Sequence, residues 1–146
     1  MVAERSLVGT WRLVSWEFRS ADGDVSYPMG RDATGYLIYT PDGFMSATTV
    51  SPDRPRFASA DMLKGAVQEK IAAFDTYVSY CGTYDHRGNT VVHHVKASLF
   101  PNWAGGDQVR TVEWVGDRLR LSTPPMLIDG AQRTVQLLWE RVPACP

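Results

Sequence analysis

Short runs of β-branched and aromatic residues, each closed by turn-forming glycine, proline, aspartate or asparagine, recur along the whole chain. This repetition constrains the fold more than any other feature, because closely spaced strands with tight turns build all-β sandwiches and barrels. The runs are Gly9–Phe18, Thr34–Tyr39, Phe44–Val50, Tyr77–Asp85, Thr90–Phe100, Gln108–Val115, Leu119–Thr123 and Arg133–Val142, eight in all. A parallel α/β sheet needs many more helices than this chain offers. Only Met62–Asp75 has helical spacing, with Leu63, Val67, Ile71 and Phe74 on one face and Asp61 as N-cap. That face is expected to pack against the sheet, or to serve as a lid.

If the strands run alternately up and down, their connections sort by length. Pro41-Asp-Gly43, residues 86–89 and Gly116-Asp117 close one end, while residues 20–33, 50–76, 101–107 and 124–131 crowd the other. The expected fold is an all-β, eight-stranded antiparallel up-and-down barrel, with one helix between the third and fourth strands, a tight rim and a loop-rich rim. Residues 1–146 are expected to form one domain of this kind.

Strand parity then divides interior from exterior, since successive side chains face opposite sides. A two-residue turn at Gly116-Asp117 sets Leu119 opposite Trp114 and Leu121 opposite Val112, which points Arg110, Val112 and Trp114 inward, with Arg110 near the open rim. In Thr90–Phe100 the inward parity is Val91, His93, Val95, Ala97 and Leu99, and His94 faces out. An even-numbered loop at 86–89 carries Tyr80, Gly82 and Tyr84 inward. Thr34–Tyr39 and Phe44–Val50 are equally apolar on both parities, so their inward face stays open. Val135, Leu137, Trp139 and Arg141 share a face, and closure of the barrel brings Arg141 onto Trp11. A guanidinium on an indole is worth about 0.5–2 kcal/mol and would plug the tight end.

The inward polar residues are the candidates for chemistry. His93 titrates near neutrality when unperturbed and would anchor a ligand or act as general base; the competing reading is a histidine bonded to a neighbouring tyrosine or carbonyl. Tyr80 and Tyr84 share its face, as hydrogen-bond donors to a ligand carbonyl or as plain core aromatics. Arg110 would hold a carboxylate bidentately, or snorkel to the rim. Trp114 on the same face and Trp103 in the 101–107 loop complete the candidate ligand-binding set. Tyr27, Met29, Phe57 and Met126 are further apolar residues of the open-end loops.

Other chemistries find less support. Fifteen basic against sixteen acidic residues give a net charge of −1, which offers no field for nucleic acid or an anionic membrane. His93 and His94 diverge from one strand, and no HExxH or Cys/His spacing occurs, so no metal or other cofactor is expected. Glu17, Asp85, His86 and Glu113 read as solvated, and Gly105-Gly106 as a flexible loop without a following helix. Cys81 and Cys145 read as free thiols. The start of the chain lacks a basic flank with an apolar run, so a cytoplasmic location is expected.

Leu7-Val-Gly-Thr-Trp-Arg-Leu, Gly35-Tyr-Leu-Ile-Tyr-Thr-Pro-Asp-Gly-Phe-Met, Tyr80-Cys-Gly-Thr-Tyr and Val92-His-His-Val together resemble the bacterial and fungal lipocalin-like domain proteins, over residues 7 to 142. Gly9-Thr-Trp11 opening the first strand and Arg141 ending the last are similar to the closed-end signature of lipocalins and fatty-acid-binding proteins. The resemblance implies an eight-stranded barrel with a closed floor. Similar barrels also serve in biosynthetic pathways, including cyclisation. The expected function is binding of a small, mostly apolar organic ligand bearing a carboxylate or carbonyl; the alternatives are a cofactorless isomerase or cyclase using the same cavity, or a cavity-free interaction module or homodimer. The helix placement and the absence of a recognisable signal peptide depart from secreted lipocalins.

Overall fold

Residues 5–146 are described by a computed structural model. The strands are β1 (Gly9–Ser20), β2 (Val25–Ser26), β3 (Thr34–Tyr39), β4 (Phe44–Val50), β5 (Tyr77–Arg87), β6 (Thr90–Ser98), β7 (Asp107–Val115), β8 (Arg118–Ser122), β9 (Met126–Ile128) and β10 (Ala131–Arg141), with one α-helix, α1 (Val67–Asp75), and a short 3-10 helix at Pro101–Trp103. Eight of them pair in the ring β1-β3-β4-β5-β6-β7-β8-β10, and β10 returns to pair with β1, so the sheet closes. The closure register sets Trp11 opposite Arg141, as parity requires. Leu119 faces Trp114 and Leu121 faces Val112 across the Gly116-Asp117 turn. Inside lies a core that includes Trp11, Leu37, Val91, Val95, Leu119 and Trp139.

Two bulges shift the pattern that strict alternation leads one to expect. Between Leu13 and Ser15 the β1/β10 register slips by one residue, so the inward series passes from Trp11 and Leu13 to Trp16. On β6, Gly82 pairs with Val95 and Cys81 with Ala97, leaving Lys96 unopposed. Ala97, expected inside, is therefore exposed and Ser98 turns inward. Glycine is required beside this bulge, because a Cβ on Gly82 would overlap the His94 carbonyl oxygen.

The loops also depart from expectation. Residues 25–33 and 124–131 read as loops in the sequence, yet Val25–Ser26 pairs with β1 and Met126–Ile128 with β10, extending two ribbons beyond the ring. The helix starts at Val67 rather than Met62, with Ala66 and not Asp61 at its N-cap. Asp61 instead accepts the Leu63 amide at 3.0 Å in a local turn. Glu69 accepts the amides of Ala66 and Ala58 at 2.9 and 2.8 Å, which ties the preceding loop to the first helical turn. Gly65, beneath the Phe57 ring, has no room for a side chain. The expected apolar face is not buried: Leu63, Val67, Ile71 and Phe74 are all exposed. None of the described helices is long and apolar enough to cross a membrane.

Candidate functional site

The tight end of the barrel is sealed by charge on aromatic rings. The Arg141 guanidinium lies 4.2 Å from the Trp11 ring centroid and donates to the carbonyls of Val8 and Ser6 at 2.7 and 3.2 Å. Trp11 donates its indole N–H to Leu7 O at 2.9 Å. Gly9 adopts φ +132°, and a Cβ there would come within 2.7 Å of Arg141 Nη1, so the bare backbone makes room for the plug. Trp114 belongs to this floor, 5.9 Å from Trp11 and under the Arg5 guanidinium at 4.1 Å, and it does not line the cavity above.

Above the floor is a cavity of about 320 Å³, walled mainly by apolar side chains. This is near the lower bound of the roughly 300–1,000 Å³ found for sites that enclose small organic ligands. Trp16, Leu137 and Trp139 line it from the β1/β10 seam, and Met126 and Ile128 of the β9 ribbon from the loop-rich end. Tyr80, His93, Arg110 and Trp103 line it too, so the barrel brings four of the six candidate residues together. Trp103 packs edge-on against Tyr80, with centroids 5.8 Å apart. Tyr84 lies lower, donating to Thr40 O at 2.8 Å and meeting the Tyr39 ring at 4.7 Å, outside the cavity lining.

His93 is fully buried and sits between two phenols. Tyr39 Oη is 2.6 Å from Nε2 and Tyr80 Oη is 2.7 Å from Nδ1. Burial is the main cause that pulls its pKa down to about 3, with the positive charges of Arg110 and His94 adding to it. The ring is neutral at physiological pH, and both of its nitrogens are engaged. Burial likewise raises the pKa of Tyr39 and of Tyr80, with Arg110 opposing the rise in both. Both phenols keep their protons.

Arg110 is buried in the wall and forms no ion pair among the described residues. Its guanidinium donates to Val109 O at 2.9 Å and to Gln108 Oε1 at 3.2 Å. A guanidinium has five N–H donors, and beyond these two bonds it also reaches the Tyr80 phenol at the cavity wall, leaving further donors there. His94 faces outward, bridging Asp85 and Asp107 at 2.8 Å each and tying β5, β6 and β7 together from outside. The bonds from these two carboxylates raise its pKa.

Tyr39 and Trp16 are site residues that sequence reasoning did not reach. Tyr39 lies on a strand whose two parities are equally apolar, and Trp16 turns inward only because of the bulge at Val14. The signal for Tyr39 is present in the closure itself: β1 pairs with β3, Trp11 faces Leu37, and Tyr39 shares the parity of Leu37.

A closed antiparallel barrel with a cation-plugged floor, an apolar cavity and a small polar cluster in its wall defines a lipocalin-type barrel. The chain belongs to the lipocalin-like domain family, whose model matches residues 8–142. A curated relative is the 4'-hydroxy-3'-methoxypropiophenone carrier protein ppsC of Aspergillus oryzae, 32% identical over 108 residues, which cover 68% of this chain and 97% of the relative. Among solved structures, an uncharacterized protein from Bacteroides eggerthii aligns with a TM-score of 0.45 and 14% identity, covering 94% of this chain and 100% of that one.

Proposed function

We propose that the protein binds and carries a small, largely apolar organic molecule in the barrel cavity, with an oxygen of that molecule held by Arg110 and Tyr80. The observation that carries this reading is the Arg110 guanidinium: a buried charge beside an apolar cavity, with no acidic partner among the described residues. A buried charge is costly unless it is paired, and a ligand oxygen supplies the missing partner. The relative named as a carrier of an aryl ketone supports the same class of cargo. A ring bearing a short ketone chain suits a cavity of about 320 Å³.

Trp16, Trp103 and Trp139 line the cavity and report on its contents through their fluorescence. Titration with 4'-hydroxy-3'-methoxypropiophenone is expected to quench that emission saturably. Removing the charge in Arg110→Met should weaken binding about 10- to 100-fold, the worth of a hydrogen bond to a charged group at about 1.5–3 kcal/mol. Equal affinity in the two proteins would remove Arg110 as the anchor.

A further inference from the structure

We propose that the Arg110–Tyr80 corner of the cavity wall presents donors to a bound oxygen, and therefore takes a weakly acidic ligand, a phenol or an enol, as its oxyanion. The inference rests on the carrier reading above and goes further, to the ionisation state of the cargo. It follows from accounting for the protons around His93.

Tyr39 Oη is buried, and among the described residues its hydrogen bond to His93 Nε2 is the one that the phenol makes. If Nε2 carried the imidazole proton, the Tyr39 O–H would have no acceptor, which costs about 1–3 kcal/mol for a buried donor. Tyr80 lines the cavity, where a spare O–H can meet its contents, and Tyr39 does not, so the acceptor nitrogen belongs to Tyr39, which donates to Nε2. A neutral ring with its lone pair at Nε2 carries its proton on Nδ1, and Nδ1–H donates to Tyr80 Oη at 2.7 Å. A doubly protonated ring would add a second cation near Arg110 in a wall that holds no carboxylate among the described residues. Tyr80 Oη is thus an acceptor toward His93, and its own proton has no protein acceptor among the described residues. That O–H and the unused N–H groups of Arg110 turn to the cavity.

The groups facing a bound oxygen there are Arg110 from β7, Tyr80 from β5 and, behind it, His93 from β6 and Tyr39 from β3. None is acidic, one is cationic, and all donate in a single direction through the relay. A ligand hydroxyl in this position meets the Arg110 cation and the Tyr80 O–H, while the acceptors in the lining are the neutral hydroxyls of Thr49 and Thr123 and no carboxylate among the described residues. Loss of that proton to solvent on binding removes the conflict and gives the guanidinium its counter-charge.

The test uses 2-naphthol, which has one oxygen and whose anion absorbs at longer wavelength than tryptophan, with 2-methoxynaphthalene as a probe that cannot ionise. Spectra of 2-naphthol with saturating protein, recorded across pH, are expected to place its ionisation midpoint at least one pH unit below that of the free compound, a tenfold preference for the anion. Arg110→Met and Tyr80→Phe, recorded at saturating protein, should each move the midpoint back toward the free value. A bound midpoint equal to or above the free one overturns the inference and leaves the carrier reading standing. Failure of both naphthalenes to bind at all overturns the two together.

Discussion

Replacing Tyr39 with phenylalanine isolates the hydrogen bond on which the proton accounting depends. The ring is 1% exposed and meets Tyr84 edge-on at 4.7 Å, contacts that phenylalanine preserves. What is lost is the O–H at 2.6 Å from His93 Nε2. Whichever tautomer the imidazole then adopts, Nε2 is left buried without a partner, as an orphan lone pair or an orphan N–H. The penalty for one such group is about 1–3 kcal/mol. For a chain of this size each kcal/mol is worth about 4 °C, so the midpoint of thermal unfolding at pH 7 should fall by about 4–12 °C. Differential scanning calorimetry of Tyr39→Phe, His93→Leu and the double variant closes the cycle. The double variant should be less destabilised than the sum of the singles, because a phenylalanine ring beside a leucine side chain leaves no orphan between those two strands. A Tyr39→Phe midpoint within about 1 °C of wild type, where about 4–12 °C is expected, would refute the reasoning.

Three further outcomes follow from the same geometry. Arg141→Met removes the guanidinium from Trp11 and from the carbonyls of Val8 and Ser6, and should lower the unfolding free energy in urea by about 1–3 kcal/mol with little change in slope. Gly82→Ala drives a Cβ into the His94 carbonyl and should cost about 1–3 kcal/mol, seen also as faster amide exchange along β5 and β6; wild-type exchange there would contradict the close packing. The raised pKa of His94 gives a stabilisation that is fully present below its unfolded value of about 6.5 and is lost as pH rises through the folded pKa. Melting curves of wild type and His94→Gln should therefore converge as the pH is raised above that range, and a constant gap would dismiss the bridge to Asp85 and Asp107.

What could be read from the sequence was whatever alternation and turn chemistry control directly. Leu119 and Leu121 alternate with arginines, so β8 has one possible inside, and the two-residue turn carries that choice to Arg110. The pairing of Trp11 with Arg141 followed from closure. Strand parity failed where it was overridden locally: one extra residue in β6 turned Ala97 out, and another in β1 turned Trp16 in. Tyr39 stayed hidden because Tyr36 and Ile38, on the opposite face, are as apolar as Leu37. The helix was overextended because period alone cannot see Phe57 over Gly65 or the grip of Glu69 on Ala58.

The seam between the first and last strands has a consequence for how the molecule comes into being. Trp11 must wait for Arg141, and Phe18 for Val135, before either finds its partner across the seam. Without β10 the sheet is an open trough, its apolar concave side exposed along the missing seam. Joining contacts so distant in the chain makes folding slow, and leaves closure of the barrel to the pairing of β1 with β10.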